Sequence, residues 1–180
     1  IEYKHKIEFQ YDHYQTIDDY CKQKPIDWTV SVWDLNSLEF ALKYENPFIK
    51  IPSAILTNKD LIMAISQLQH FFILSTGMSN WEMIDDAVNI LEKNSARYAL
   101  LHCNSTYPAP PHELNLSVIP EMKQRYGCIV GYSGHEYDLE PTVLATALGA
   151  EIIERHITLD HNMWGTDQKS SLEVHAMDLL

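Results

Sequence analysis

The stretch that decides the fold runs from Cys128 to His156. It opens Cys128-Ile129-Val130-Gly131-Tyr132-Ser133-Gly134-His135, continues through Glu140-Pro141 to Gly149, and closes Ile152-Ile153-Glu154-Arg155-His156. Two apolar, β-prone runs flank a segment with helix punctuation. Pro141 sits where a first helical turn tolerates proline, and Gly149 stops the helix at its C-terminal end. The unit reads strand, helix, strand, and each strand carries an imidazole, His135 or His156, at its end. Strand ends that run into loops are where an α/β enzyme places its chemistry.

The same alternation extends outward. Further β-prone runs are Trp28–Trp33, Phe48–Ile51, Phe71–Leu74 and Tyr98–Leu101, which with Cys128–Tyr132 and Glu151–His156 predict about six strands. Between them lie helical patterns. Ser79-Asn80-Trp81-Glu82 reads as a capping box ahead of Met83, Ile84, Ala87, Val88 and Leu91, which share one face. Asn58 precedes Leu61, Ile62, Ile65 and Leu68 in the same manner, Asn115 precedes Leu116, Ile119 and Met122, and Tyr11 to Lys22 is amphipathic. Strands alternating with helices predict a parallel sheet covered by helices, either doubly wound and open or a (β/α)8 barrel. Polar residues at the end of every strand favour the barrel, where all strand C-termini face one site. On that reading residues 1–180 are a partial TIM-barrel catalytic domain whose first two βα units are missing, and both chain ends read as internal to a longer protein.

The chain has 180 residues, 46% hydrophobic and 21% charged, with a formal net charge of −12. That balance suits a single soluble domain and argues against a nucleic-acid surface, which needs basic patches. No apolar run approaches the ~20 residues of a membrane span. Cys21, Cys103 and Cys128 are scattered, with no CxxC pair; a reduced, cytoplasmic compartment is the expectation.

Several strand ends carry chemistry. Lys50 alternates with buried types in Ile49-Lys50-Ile51-Pro52-Ser53, so its ammonium points inward, where it meets either an anionic ligand or a core partner such as Glu154 or Asp34. Leu74-Ser75-Thr76-Gly77-Met78 sets a hydroxyl and backbone N–H groups before a helix, a favourable place for phosphate and also ordinary turn chemistry. Leu101-His102-Cys103-Asn104-Ser105-Thr106-Tyr107-Pro108 reads as a pocket rim, with His102 a satisfied core histidine and Cys103 lacking an evident base. His135 and His156 are the metal candidates, a pair that leaves open coordination positions, or else one of them is structural. Asp167, in the loop after His156, holds a polyol, acts as a base, or is an ordinary surface aspartate.

Five strings taken together resemble the sialic acid synthase family, the N-acetylneuraminate synthases and their legionaminate and pseudaminate relatives. They are Lys50-Ile51-Pro52-Ser53-Ala54, Ile73 to Met78, His102 to Pro108, Gly131 to His135, and Glu154-Arg155-His156-Ile157-Thr158-Leu159-Asp160, in the family's order. The resemblance implies a (β/α)8 barrel that condenses phosphoenolpyruvate with an N-acetylated aldose such as N-acetylmannosamine, giving a nine-carbon 2-keto sugar acid and phosphate. By similarity, His135 and His156 bind a divalent metal, most often Mn2+. Ser31, Lys50, Ser53, Ser75, Ser105 and Ser133 match positions that hold phosphoenolpyruvate. Asn104 is assigned to substrate with them, Tyr107 and Asp167 match positions close to the sugar, and Lys50 and Asp167 are the catalytic candidates.

The chain departs from the family pattern in three places. The opening barrel strands, with a glutamate and a second phosphate-binding lysine, have no counterpart. Some members carry a glutamate two residues past the serine matching Ser53, where this chain has Ile55. The C-terminal antifreeze-like domain, which in relatives reaches into a partner's active site in a homodimer, is absent. The resemblance therefore also admits a legionaminate-type synthase or a catalytically inactive remnant. A metal-dependent isomerase or hydrolase barrel would need more strand-end carboxylates, and the sequence reading finds none.

Overall fold

The computed structural model describes residues 6–180. Helices α1 (Tyr11–Gln23) and α2 (Leu35–Ala41) lead into β1 (Ile49–Ile51), α3 (Lys59–Ser66), β2 (Phe71–Ser75), α4 (Trp81–Lys93) and β3 (Arg97–Cys103). Then follow α5 (Val118–Tyr126), β4 (Ile129–Gly134), α6 (Glu140–Ala147), β5 (Ile153–Thr158), β6 (Ser171–Glu173) and α7 (Val174–Leu179). The six strands pair in chain order, β1 to β6, and every pairing is parallel. A doubly wound sheet reverses its strand order at a switch point. This sheet has no reversal, so it is a curled, partial (β/α) barrel.

Alternation along the strands separates two layers. Ile49 and Ile51, Phe72 and Leu74, Leu100, and Val130 and Tyr132 join the apolar cluster with Leu61, Ile62, Ile65, Ile84, Val88, Leu91, Ile119 and Met122 of the helices. The opposite parity carries Lys50, Ile73, Ser75, Leu101, Cys103, Gly131, Ser133, Glu154 and His156 on the concave face. The register sets them side by side: Lys50 beside Ile73, Ser75 beside Leu101, Cys103 beside Ser133, Ser133 beside Glu154. The apolar set holds the helices on, at about 1.5–3 kcal/mol for each fully buried large side chain. The other set is left for the site.

Local signals explain most boundaries. Asn58 caps α3, its Oδ1 accepting from the Leu61 N–H at 3.2 Å. The cap of α4 is Asn80, one residue later than the capping-box reading, with Oδ1 accepting from Met83 N–H at 2.9 Å; Ser79 instead donates to the Gly77 carbonyl at 3.3 Å. Asn115 does not start a helix: it takes a left-handed φ of 47° in the preceding turn, and α5 begins at Val118. Pro141 lies in the first turn of α6, and Gly149 follows its C-terminus at φ 102°.

Two expectations about strands are corrected. Trp28–Trp33 is not a strand but a single bridge, Ser31 to Lys50, supported by Val32 N–H donating to the Lys50 carbonyl at 3.0 Å. The cause is Asp34, whose carboxylate accepts from Ser37 N–H at 2.7 Å and turns the chain into α2 at once. At the other end, β6 is a strand that the sequence pattern does not announce, because three residues, of which Ser171 and Leu172 are buried, make too short a pattern.

Candidate functional site

The C-terminal ends of the strands enclose a cavity of about 460 Å3, lined by Ser31, Lys50, Ser53, Ser75, Cys103, Ser105, Tyr107, Ser133, His135, Glu154, His156 and Asp167, with Trp33 and Met78 at its wall. Every sequence-predicted site residue except Asn104 is on that wall.

Lys50 is 7% exposed. Its Nζ donates to Ser75 Oγ at 2.8 Å and to the Ile51 carbonyl at 3.1 Å, and lies 3.6 Å from Glu154 Oε2. Burial pushes its pKa down from the usual lysine value, and the nearby Glu154 only partly offsets this. Asp34, the other partner considered, is occupied in capping α2. Glu154 is also held by Ser133 Oγ, which donates to Oε1 at 2.7 Å. This carboxylate at a strand end corrects the reading that none exists there. Glu154 is the core partner expected for Lys50 from the sequence, and it lies two residues before His156 on the same face.

Ser53 is placed by the short turn Ser53–Ile55, where its Oγ accepts from Gly77 N–H at 3.0 Å. Gly77 is required by close approach: a Cβ there would land on Ser105 Oγ and within 2.9 Å of Ser53 Oγ. Ile55 turns away and packs against the apolar core, so the carboxylates of this cavity are Glu154 and Asp167.

The imidazoles meet at the far wall. His135 Nδ1 is 2.6 Å from the Asn104 carbonyl, which can only accept, so Nδ1 carries the proton. Nε2 then presents its lone pair to the cavity and accepts from Tyr107 Oη at 2.9 Å. Burial acts to lower the His135 pKa, but the Cys103 contact at 3.8 Å and the Asn104 carbonyl outweigh it and leave it raised. The His156 ring lies edge-on to His135 with centroids 5.2 Å apart, and its Nδ1 is 3.9 Å from Asp167 Oδ2. Burial and the neighbouring His135 hold the His156 pKa down, which favours the neutral form. Burial also keeps the Tyr107 phenol protonated, its pKa pushed up to about 12.

Two neutral-capable imidazoles, one with its tautomer fixed by a carbonyl, fit a divalent cation as a donor set. Among the described residues no three His, Cys, Asp or Glu side chains converge as a ready-made ligand group; the donors that could hold a cation here are His135 and His156. Asn104 does not reach the cavity wall: its side chain donates to the Glu113 carbonyl at 3.1 Å and accepts from Thr106 N–H at 2.8 Å. Its part here is the backbone oxygen that fixes His135. His102 faces the other layer, with Nε2 at 2.6 Å from the Leu114 carbonyl. Cys103 does have a histidine neighbour, His135, which spacing alone did not reveal because it comes from the adjacent strand. Among the described residues no helix is long and apolar enough to cross a membrane.

Comparison with known proteins places these features in context. The NeuB family model matches residues 1–180. The N-acetylneuraminate-9-phosphate synthase of Drosophila melanogaster is 36% identical over 181 residues, 99% of this chain and 49% of that protein. The N,N'-diacetyllegionaminic acid synthase of Campylobacter jejuni is 37% identical over 178 residues, 97% of this chain and 53% of that protein. A crystal structure of N-acetylneuraminic acid synthetase from Leptospira borgpetersenii, in complex with citrate, superposes with a TM-score of 0.89 at 33% identity, covering 92% of this chain and 58% of that one. The chain thus spans about half the length of the curated relatives it matches. It belongs to the NeuB family.

Proposed function

We propose that this member of the NeuB family is the core of a synthase that condenses phosphoenolpyruvate with an N-acetylated aldose, N-acetylmannosamine first, to give N-acetylneuraminate and phosphate. One observation carries the reading: a single cavity at the strand C-termini is lined by a buried lysine, five serine hydroxyls from successive strands and turns, and two imidazoles. A pocket that buries a cation and crowds hydroxyls around it suits a small polyanion. The arrival of the phosphoenolpyruvate phosphate would supply the charge partner that Lys50, with its depressed pKa, only partly has in Glu154.

Ser53 and Ser105, pressed against Gly77, and Ser75, held by Lys50, orient the phosphate and carboxylate, so positioning provides much of the rate. The methylene carbon of phosphoenolpyruvate attacks the aldose carbonyl, water adds at the carbon bearing the phosphate, and phosphate leaves by C–O cleavage. The aldose oxygen gains a proton and the attacking water gives one up; Glu154 and Asp167 are the cavity carboxylates placed to take it. His135 and His156 would hold a divalent cation, Mn2+ by the family resemblance, which when bound would supply a Lewis acid for the aldose carbonyl.

Relatives at similar identity make different products, so a diacetylated hexose acceptor is the second reading. Incubation of the intact protein with Mn2+ and phosphoenolpyruvate bearing 18O in the bridging position tests both. Label recovered in phosphate, with N-acetylmannosamine consumed, supports the first reading; consumption of the diacetylated hexose instead supports the second. Phosphate free of label, or none with either acceptor, overturns the condensation mechanism.

A further inference from the structure

The backbone ladder between β4 and β5 stops one residue short of the two imidazoles. Its last pair is Gly134 with Arg155, so His135 and His156 lie beyond the final paired position. Behind them, a side-chain network takes over. Arg155 and Glu136 are buried, with side chains 3% and 1% exposed, and Nη1 lies 2.9 Å from Oε1. Arg155 Nη2 donates to the Glu136 carbonyl at 2.6 Å, and Nη1 donates to Thr142 Oγ1 at 2.7 Å and to the Asp138 carbonyl at 3.3 Å. Tyr132 Oη donates to Glu136 Oε2 at 2.8 Å, and Thr142 Oγ1 to Oε1 at 3.3 Å.

This network presses on the backbone that leads into His135. A Cβ at Gly134 would lie 2.8 Å from both Glu136 carboxylate oxygens and from the Tyr132 ring. It also leaves Arg155 Nε buried without a hydrogen-bond partner among the described residues. A donor left buried and unmade is unfavourable, so the fork is held where it is by its other contacts. Arg155 thereby ties β5 to three points of the segment after β4, at residues 136, 138 and 142.

We propose that Arg155 and Glu136 are positioning residues that continue the β4–β5 registry past the end of the ladder and so fix the His135–His156 geometry. The consequence for cation affinity rests on the metal reading above; the geometric role does not. A planar guanidinium is needed, because a lysine ammonium keeps the charge and loses the fork.

The test uses the intact protein with 15N-labelled histidine, compared as wild type and Arg155→Lys. Long-range 1H–15N spectra of the metal-free samples report ring tautomers, assigned with His135→Gln and His156→Gln. Wild type should show His135 as one Nδ1–H tautomer. Arg155→Lys should show it averaged or broadened, and Mn2+ affinity, read by the EPR signal of free ion, should fall about 10- to 100-fold. Thr142→Val, which keeps both charges and removes two bonds of the network, should move both readouts in the same direction and serves if Arg155→Lys does not fold.

A merely structural role would lower the melting temperature and leave the tautomer alone. An unchanged His135 tautomer in a folded variant, with Mn2+ affinity within about twofold, overturns the proposal. Scattered tautomers in the variant, with no Mn2+ uptake by wild type, would uphold the positioning role and reject the metal.

Discussion

Replacing Lys50 with methionine separates an anion site from a structural ion pair. The Nζ–Oε2 separation of 3.6 Å to Glu154 corresponds to an attraction of about 4–5 kcal/mol at an effective dielectric of 20. Against it stands the desolvation of an ammonium that is 7% exposed, itself several kcal/mol. Burial is the larger influence on the lysine, pushing its pKa down, with Glu154 opposing it. Glu154, 39% exposed and still held by Ser133, keeps its hydration when the lysine is gone. Methionine fills a similar volume without the charge. Lys50→Met should therefore leave stability unchanged or raise it by up to about 2 kcal/mol, the usual size of such gains at functional positions. For a chain of this length that is a rise of up to about 4–8 °C in melting temperature.

The pH dependence has a definite sign. A depressed lysine pKa destabilises the fold below the folded-state value, and the cost lifts as pH rises toward the unfolded value of about 10.4. Any advantage of Lys50→Met should shrink across that window. Thermal unfolding by circular dichroism, paired with calorimetric titration of phosphoenolpyruvate, reads both effects; binding should be lost at least tenfold, as for one charge-assisted contact. A melting temperature lowered by more than about 4 °C, with phosphoenolpyruvate binding intact, would refute the reasoning and make Lys50 a structural partner of Glu154.

Other substitutions probe the frame and the wall. Gly131→Ala should destabilise the protein by about 2–3 kcal/mol or more, because its Cβ would fall on the Ile152 carbonyl oxygen and within 2.6 Å of Leu101 Cδ2; an unmoved urea midpoint would contradict the tight β4–β5 approach. Gly77→Ala meets the side-chain atoms Ser105 Oγ, Ser53 Oγ and Cys103 Sγ rather than backbone. It should cost about 1–3 kcal/mol of stability and weaken phosphoenolpyruvate binding about tenfold, and calorimetry that finds unchanged affinity would remove Ser53 and Ser105 from the anion site. Phe72→Ala, at a position with no exposure, should cost about 3–5 kcal/mol by denaturant titration without changing the apparent affinity of the folded protein.

How much of this was legible in the sequence follows from where the signals are local. Lys50, Ser75, Ser133 and His156 could be set on one face because strand alternation is a property of consecutive residues, and the helices announced themselves through Asn58, Pro141 and the Ile84–Leu91 face. Glu154, legible as an ion partner of Lys50, also lines the cavity as a carboxylate, two residues from His156 on the same face. What eluded the sequence was settled between segments. Trp28–Trp33 has β-prone residues, but Asp34 draws the chain into a helix and only Ser31 is left to pair. Asn104 reads as a ligand by its amide, whereas the loop consumes that amide and offers the carbonyl to His135. The Cys103–His135 contact and the Arg155–Glu136 network both cross from one strand to the next, so no spacing within a segment reveals them.

The central claim, that one cavity joins a phosphoenolpyruvate site to a metal-assisted carbonyl site, is tested most directly by phosphate release. The intact protein would be supplied with phosphoenolpyruvate, N-acetylmannosamine and Mn2+, then compared with His135→Ala, His156→Ala and a chelated sample. The account predicts release that needs both substrates and is abolished in all three comparisons. Undiminished release from either histidine variant would contradict it.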